Sequence, residues 1–285
     1  MPSFSKPAPR LEPRAWGGTQ GPPKVMGVVN VTPDSFYAGS RAATAKEAAA
    51  CAKRMKDEGA DIIDIGGQST RPGSLPVTLQ EEISRVVPAV RAAAEETGLP
   101  ISVDTDKAEV ARLARLAGAA ILNDVSALRA EPDLVHEAVK FDAVILMHRL
   151  GSSSKAMQDD PRYKDVVAEV RDFLAERLEF FAQAGGDKAR ALVDPGIGFG
   201  KTPAHNLSLL KHLDAFSRLA PVALGASRKS FLGAVVPDQG PSDRLPGSLA
   251  AAVCAAAAGA AVVRVHDVAA TRQALSTFWA VRAAN

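Results

Sequence analysis

Ala191-Leu192-Val193-Asp194-Pro195-Gly196-Ile197-Gly198-Phe199-Gly200-Lys201-Thr202 is an apolar run that stops at an acid, enters a Gly-rich loop and reaches Thr202, where a helix opens. An acid at the end of a buried strand, followed by a loop, is how α/β proteins build ligand sites. The same grammar recurs along the chain. Val25–Val31 carries Asn30, Asp61–Ile65 leads into Gly66-Gly67-Gln68-Ser69-Thr70-Arg71, Ile101–Val103 ends at Asp104, and Ile121-Leu122 ends at Asn123-Asp124. Ala143–Met147 ends at His148, Val222–Leu224 leads to Ser227-Arg228-Lys229, and Val262–Val265 ends at His266. Such runs alternating with helical patterns predict a parallel sheet, and eight units favour closure. The fold class is therefore α/β, a single (β/α)8 TIM barrel with its active site at the C-terminal ends of the strands.

Apolar periodicity predicts helices over about 44–58, 79–96, 107–117, 163–184, 205–213, 247–258 and 268–282, with Pro132 opening a short one between them. Residues 1–24, rich in Pro, Arg and Gly, read as a loosely structured N-terminal arm, and 25–285 as the barrel domain. A length of 285 residues and 47% hydrophobic content suit one α/β barrel with a sizeable core. A net charge of +2 with interspersed signs argues against a nucleic-acid surface and for a small-molecule cleft. Cys51 and Cys254 form no paired motif and read as small buried hydrophobes in a reducing, cytoplasmic compartment. No signal peptide or membrane span is read, because the Ala/Gly-rich stretch Leu249–Val263 breaks at Gly259 and Arg264.

Gly200-Lys201-Thr202 invites a phosphate-loop reading, which fails because Pro195 stands where the first glycine is needed. A dinucleotide fingerprint fails too, since Gly200 comes one residue early after Gly196 and Gly198. These glycines read as a tight strand-to-helix turn. The strand-end groups then fall into two chemical sets. Asp104, Asn123 and Asp194 offer acceptors from three strands, suited to a planar edge rich in N–H donors such as an aminopterin or guanine-like ring. Asp124 reads instead as a cap. Arg71, Lys229, Arg264 and His266, with Ser69, Thr70 and Ser230 nearby, form the second set. Arg264 and His266 share one face of their strand, and an inward Arg-x-His calls for a phosphate, pyrophosphate or carboxylate. Arg41 and Arg149 read as solvated surface residues, and His136, His205 and His212 as exposed on or beside helices. No nucleophile triad and no His-based metal pair is present. Asn30 is the metal candidate, a neutral oxygen beside substrate phosphates being a common way to hold Mg2+.

From about Val25 to Leu275 the chain resembles the dihydropteroate synthase family. The matching blocks are Met26–Phe36, Gly66–Gly73, Ser102–Thr105, Asn123–Ser126, Met147-His148, Asp194–Thr202, Ser227–Phe231 and Arg264–Asp267. The resemblance implies a folate-pathway transferase that condenses p-aminobenzoate with hydroxymethyl-dihydropterin diphosphate and releases pyrophosphate. It assigns the pterin to Asp104, Asn123, Asp194 and Lys229, and the diphosphate to Thr70, Arg264 and His266, with Mg2+ on Asn30. Phe36, Arg71, Phe199 and Ser230 would form the p-aminobenzoate pocket, and Asp34 would stabilise the cationic pterin methylene. Asp34, Arg71 and Lys229 would thus carry the catalysis, in a cytoplasmic homodimer that sulfonamides target. The chain departs from the family pattern at Gln68 (commonly Glu), after Phe36, at Asp106 (often aromatic), and at Arg149-Leu150. Two rivals share the ring-binding acceptors: a corrinoid-dependent methyltransferase barrel, and a non-catalytic pterin-binding paralogue. The Ser69–Gly73 and Ser227–Ser230 blocks argue against the first, and intact Asp34, Arg71 and Lys229 against the second.

Overall fold

Strands covered on both sides need no polar alternation, so short aliphatic runs suffice to form them. The computed structural model describes residues 21–32, 42–68, 77–151, 160–236 and 240–284. Its strands are β1 (Lys24–Asn30), β2 (Ile62–Gly66), β3 (Ile101–Asp104), β4 (Ala119–Asp124), β5 (Ala143–Met147), β6 (Ala191–Asp194), β7 (Ala223–Leu224) and β8 (Val262–Val265). All pair in parallel, in the order β6-β5-β4-β3-β2-β1-β8-β7. The ring closes where Val193 of β6 bridges Val222, with the Val193 N–H donating to the Pro221 carbonyl at 3.0 Å. The expected barrel is present.

Around it lie α1 (Ala45–Asp57), α2 (Leu79–Thr97), α3 (Ala108–Leu116), α4 (Leu134–Ala138), α5 (Val166–Gln183), α6 (Pro203–Lys211), α7 (Asp214–Ser217), α8 (Ser230–Val235), α9 (Leu245–Ala257) and α10 (Val268–Ala283). Thr202 opens α6 as expected. Its hydroxyl accepts from the His205 N–H at 3.2 Å, and the His205 ring accepts from the Thr202 N–H at 3.3 Å, a reciprocal cap. The seventh unit is more broken than its periodicity suggests, with α8, a 3-10 turn at Pro241–Arg244 and α9 in succession. Gly27 lets the helical layer close on β1, since a Cβ there would lie 2.7 Å from the Met55 sulfur.

Several expectations need correction. Cys254 is exposed on α9, while Cys51 is buried as expected. Arg149 is buried rather than solvated, and His205 is half-buried through its capping role. Lys24, placed in the arm by the sequence, already belongs to β1, and residues 1–20 of that arm lie outside the described residues. No helix among the described residues is long and apolar enough to cross a membrane.

Candidate active site

Side chains two apart on a strand share a face, so the inner surface of the barrel can be followed strand by strand. Met26, Ile62, Ile121, Ile145, Leu192 and Val262 belong to one buried inner cluster. Two residues beyond four of them stand polar groups: Asp64 after Ile62, Asn123 after Ile121, Asp194 after Leu192 and Arg264 after Val262. A charged layer therefore rests on an apolar floor. Asn30 closes β1 on the face of Met26, and its strand neighbour across the ladder is Gly66.

The centre of that layer is a guanidinium held by two acids. Arg264 Nε donates to Asp64 Oδ2 at 2.6 Å, and Nη2 donates to Asp104 Oδ2 at 2.9 Å. Asn123 Nδ2 donates to the same Asp64 oxygen at 3.3 Å. Asp64 is wholly buried and was absent from both sequence-derived sets. Its signal was present in Ile62-Ile63-Asp64-Ile65, an acid within an apolar strand, which buries a charge at high cost unless a partner awaits it. The expectation that an inward Arg264 needs an anionic ligand is thus met in part by protein carboxylates. Burial pushes Asp104 up to about 7, with Arg264 opposing and Asp64 adding to the rise.

A second cluster gathers around β6. Asp194 Oδ1 accepts from the Gly196 N–H at 2.7 Å, and burial raises its carboxyl above the ordinary range against the pull of Lys229. Lys229 donates to the Ile197 carbonyl and sits 4.7 Å above the Phe199 ring, and burial lowers its ammonium to about 8. The loop between Asp194 and Lys201 wraps over His148. A Cβ on Gly196, whose φ is +70°, would stand 1.8 Å from the His148 carbonyl oxygen, so only glycine fits. Lys201 is not a phosphate-loop lysine. It is buried, with Nζ 2.9 Å from His148 Nδ1 and donating to the Phe199 carbonyl at 3.0 Å. Burial lowers Lys201 to about 7, and burial together with that ammonium lowers His148 to about 2, so the ring is a neutral acceptor. His148, which the sequence left unassigned, therefore anchors the loop that carries Asp194 and Phe199.

At the rim, His266 Nδ1 lies 3.1 Å from the Ser227 hydroxyl, and Ser230 is exposed at the start of α8. Asp124 is structural, though it closes a turn rather than capping the next helix: its carboxylate accepts from the Ser126 N–H at 2.7 Å and from the Leu128 N–H, and α4 begins only at Leu134. Three departures from the family pattern meet in one place. Gln68, Asp106 and Arg149 line a small open cleft beside Asp104, with Arg149 3.9 Å from Asp106. Gln68 accepts at 3.0 Å from Lys107, which also pairs with the buried Glu82 and reaches the Val77 carbonyl at 3.1 Å. Asp34, Phe36, Arg41, Thr70 and Arg71 lie outside the described residues. Among the described residues no group of three or more His, Cys, Asp or Glu side chains could hold a metal ion.

Acceptors facing cations above an apolar floor suit a flat, nitrogen-rich ring bearing an anionic group. Comparison with known proteins agrees. Residues 26–266 match the pterin binding enzyme family. The dihydropteroate synthase of Escherichia coli K12 is 44% identical over 254 residues, covering 89% of each chain. Two structures of the Xanthomonas albilineans dihydropteroate synthase align over 93% of this chain. The one with 4-aminobenzoic acid has TM-score 0.84, 46% identity and 94% of its own chain covered. The one with 7,8-dihydropteroate has TM-score 0.82, 44% identity and 95% covered. The chain therefore belongs to the pterin-binding enzymes and, within them, to the dihydropteroate synthase family.

Proposed function

We propose that this chain joins p-aminobenzoate to hydroxymethyl-dihydropterin diphosphate, giving dihydropteroate and pyrophosphate. The observation that carries the reading is the layer of Asp104, Asn123, Asp194, Lys229 and Arg264 on an apolar floor at the strand ends. Asp194 and Asn123 would accept from the aminopyrimidine edge of the pterin, and Asp104 would face a ring nitrogen as acceptor or, when protonated, as donor. Arg264 commits two of its five N–H groups to Asp64 and Asp104. The other three would be open to diphosphate oxygens, with His266 and Thr70 as further contacts.

The reaction breaks the bond from the pterin methylene carbon to the diphosphate oxygen and forms one to the p-aminobenzoate nitrogen, which then loses a proton. Asp34 would stabilise the positive charge on the methylene as pyrophosphate departs. Arg71, Phe36, Phe199 and Ser230 would hold the amine in line. Electrostatic stabilisation of a departing anion explains why no strong general base is needed. Asn30 offers one neutral amide oxygen, which fits Mg2+ held otherwise by phosphate oxygens and water. When bound, that ion would neutralise charge on the leaving pyrophosphate.

We also read residues 1–24 as an arm beside one catalytic domain, the protein as a cytoplasmic homodimer, and sulfonamides as competitors for the p-aminobenzoate pocket. One assay tests the central reading: pyrophosphate release from the dihydropterin diphosphate with and without p-aminobenzoate. Release that depends on p-aminobenzoate is expected. No release would leave a pterin-binding protein without this activity.

A further inference from the structure

Arg228 and Asp267 each stand next to a residue of the proposed site, Arg228 before Lys229 and Asp267 after His266. Arg228 Nε donates to Asp267 Oδ2 at 2.8 Å, and Nη2 donates to Oδ1 at 2.7 Å. This two-point fork joins the loop after β7 to the end of β8, and its side chains are only 9% and 11% exposed. One residue earlier on each segment a second link runs beside it. Ser227 Oγ accepts from the His266 N–H at 3.3 Å and lies 3.1 Å from His266 Nδ1. The two loops are therefore tied at two successive rungs.

Arg228 is held in a backbone conformation that a residue with a side chain rarely adopts, with φ at +56°. Its surroundings fix it there. The Arg228 N–H donates to Ser248 Oγ at 2.9 Å, its carbonyl accepts from Arg244 Nη1 at 3.2 Å, and its own Nη1 donates to the Ser242 carbonyl at 3.2 Å. Such an over-determined left-handed residue beside a functional lysine motivates a functional hypothesis.

We propose that the Arg228–Asp267 fork is a positioning element that holds Lys229 and His266 at one separation, so that the ring end and the diphosphate end of the site stay in register. The inference rests on the reading that these two residues contact the substrate. A planar guanidinium on a carboxylate fixes distance and orientation together, which a lysine at the same position could not do although it keeps the charge.

The test uses Arg228→Lys, the nearly isosteric Asp267→Asn and the double variant, measured by pyrophosphate-release kinetics and by hydrogen exchange. Each single variant should lower kcat by roughly a hundredfold, the scale expected of an ångström-sized misplacement, while KM for either substrate moves less than about threefold. The double variant should be little worse than either single one, because the two residues act as a unit. Peptides covering 225–232 and 264–268 should exchange faster together, with β3 to β5 unaffected. Wild-type kcat in either single variant would overturn the inference, as would additive losses or loosening spread over the whole barrel. If the wild-type protein released no pyrophosphate, the functional reading would fall by itself. The fork would then be decided by exchange, and unchanged exchange in 264–268 of Arg228→Lys would refute it.

Discussion

Arg264 Nε and Asp64 Oδ2 stand 2.6 Å apart, on the two strands that flank β1, although 200 residues separate them along the chain. The pair sets the electrostatics of the charged layer at the strand ends. A second acid, Asp104, shares the guanidinium, so two buried carboxylates face one cation. Two negative charges so close resist full ionisation, and burial has already raised Asp104 to about 7. Burial and the neighbouring Asp64 charge thus favour the neutral form of Asp104, against the pull of Arg264.

Asp64→Asn removes the charge that anchors this arrangement while keeping its shape. Removing one member of a buried pair costs about 3 kcal/mol or more, because the other charge is left uncompensated. Urea denaturation should show that loss, softened by the Asp104 contact that Arg264 retains. A change under about 0.5 kcal/mol, the scale of an exposed ion pair, would show that Asp64 contributes nothing particular.

Asp194→Asn addresses ring recognition directly. The amide oxygen can still accept from the Gly196 N–H, so the loop should stay in place. Loss of a charged acceptor should weaken binding of the dihydropterin alcohol by about 1.5–3 kcal/mol, or roughly ten- to a hundredfold in Kd. Calorimetry on the folded variant decides it, and unchanged affinity would remove Asp194 from the ring pocket.

Gly196 and Gly98 make a controlled pair, since both hold positive φ. At Gly98, where nothing lies within 4 Å of a built Cβ, Gly98→Ala should cost only about 1 kcal/mol of backbone strain. At Gly196 the new carbon would meet the His148 carbonyl at 1.8 Å, and backbone cannot move aside as a side chain can. Gly196→Ala should therefore cost well over 3 kcal/mol, or displace the loop and abolish pterin binding. Equal melting temperatures for the two variants would contradict this contrast.

The eight strands were legible because each is a short aliphatic run that ends at or leads into polar residues, a pattern that depends only on neighbours in sequence. The residues at those ends, Asp104, Asn123, Asp194 and Arg264, could be picked out for the same reason. Asp64 carried a signal as an acid inside an apolar strand, but its partner Arg264 lies 200 residues away, and periodicity identifies a face without identifying what stands beside it. Arg149 was misread as solvated by the same limit: its burial comes from Asp106 and the cleft beside Asp104, contacts that converge only when the barrel closes. Cys254 fell in a helical pattern whose outward side is set by α9 docking, which Ala-rich sequence marks weakly.

Lys201 gives a pH signature. Its folded value of about 7 lies below the 10.5 of an unperturbed lysine, so between those limits the unfolded chain binds more protons than the folded one. Stability should then rise with pH from about 7 towards 10.5, as the cost of burying the charge is relieved. Lys229, lowered to about 8, contributes in the same direction. Lys201→Met should flatten the slope without abolishing it, read from denaturation midpoints at several pH values. A slope unaltered in Lys201→Met would mean that the buried ammonium is not its source.

Substitution of Arg264 would separate departure of the leaving group from recognition of the ring in the proposed reaction, but it must be chosen with the partners of Arg264 in view. Arg264→Ala would strip Asp64 and Asp104 of their common cation, lowering stability and ring affinity together. Arg264→Lys keeps a charge near both acids and gives up the planar set of donors that can span two phosphate oxygens. An interaction that strengthens as pyrophosphate leaves acts on the transition state more than on the bound ring. A transition-state loss of roughly 3 kcal/mol corresponds to a kcat drop of about a hundredfold. Over the same comparison, Kd for the dihydropterin alcohol, which has the ring and no phosphate, should change less than about threefold. If Arg264→Lys instead abolished binding of that alcohol and left pyrophosphate affinity intact, Arg264 would belong with the ring acceptors. The anionic end of the site would then rest on His266 and its neighbours alone.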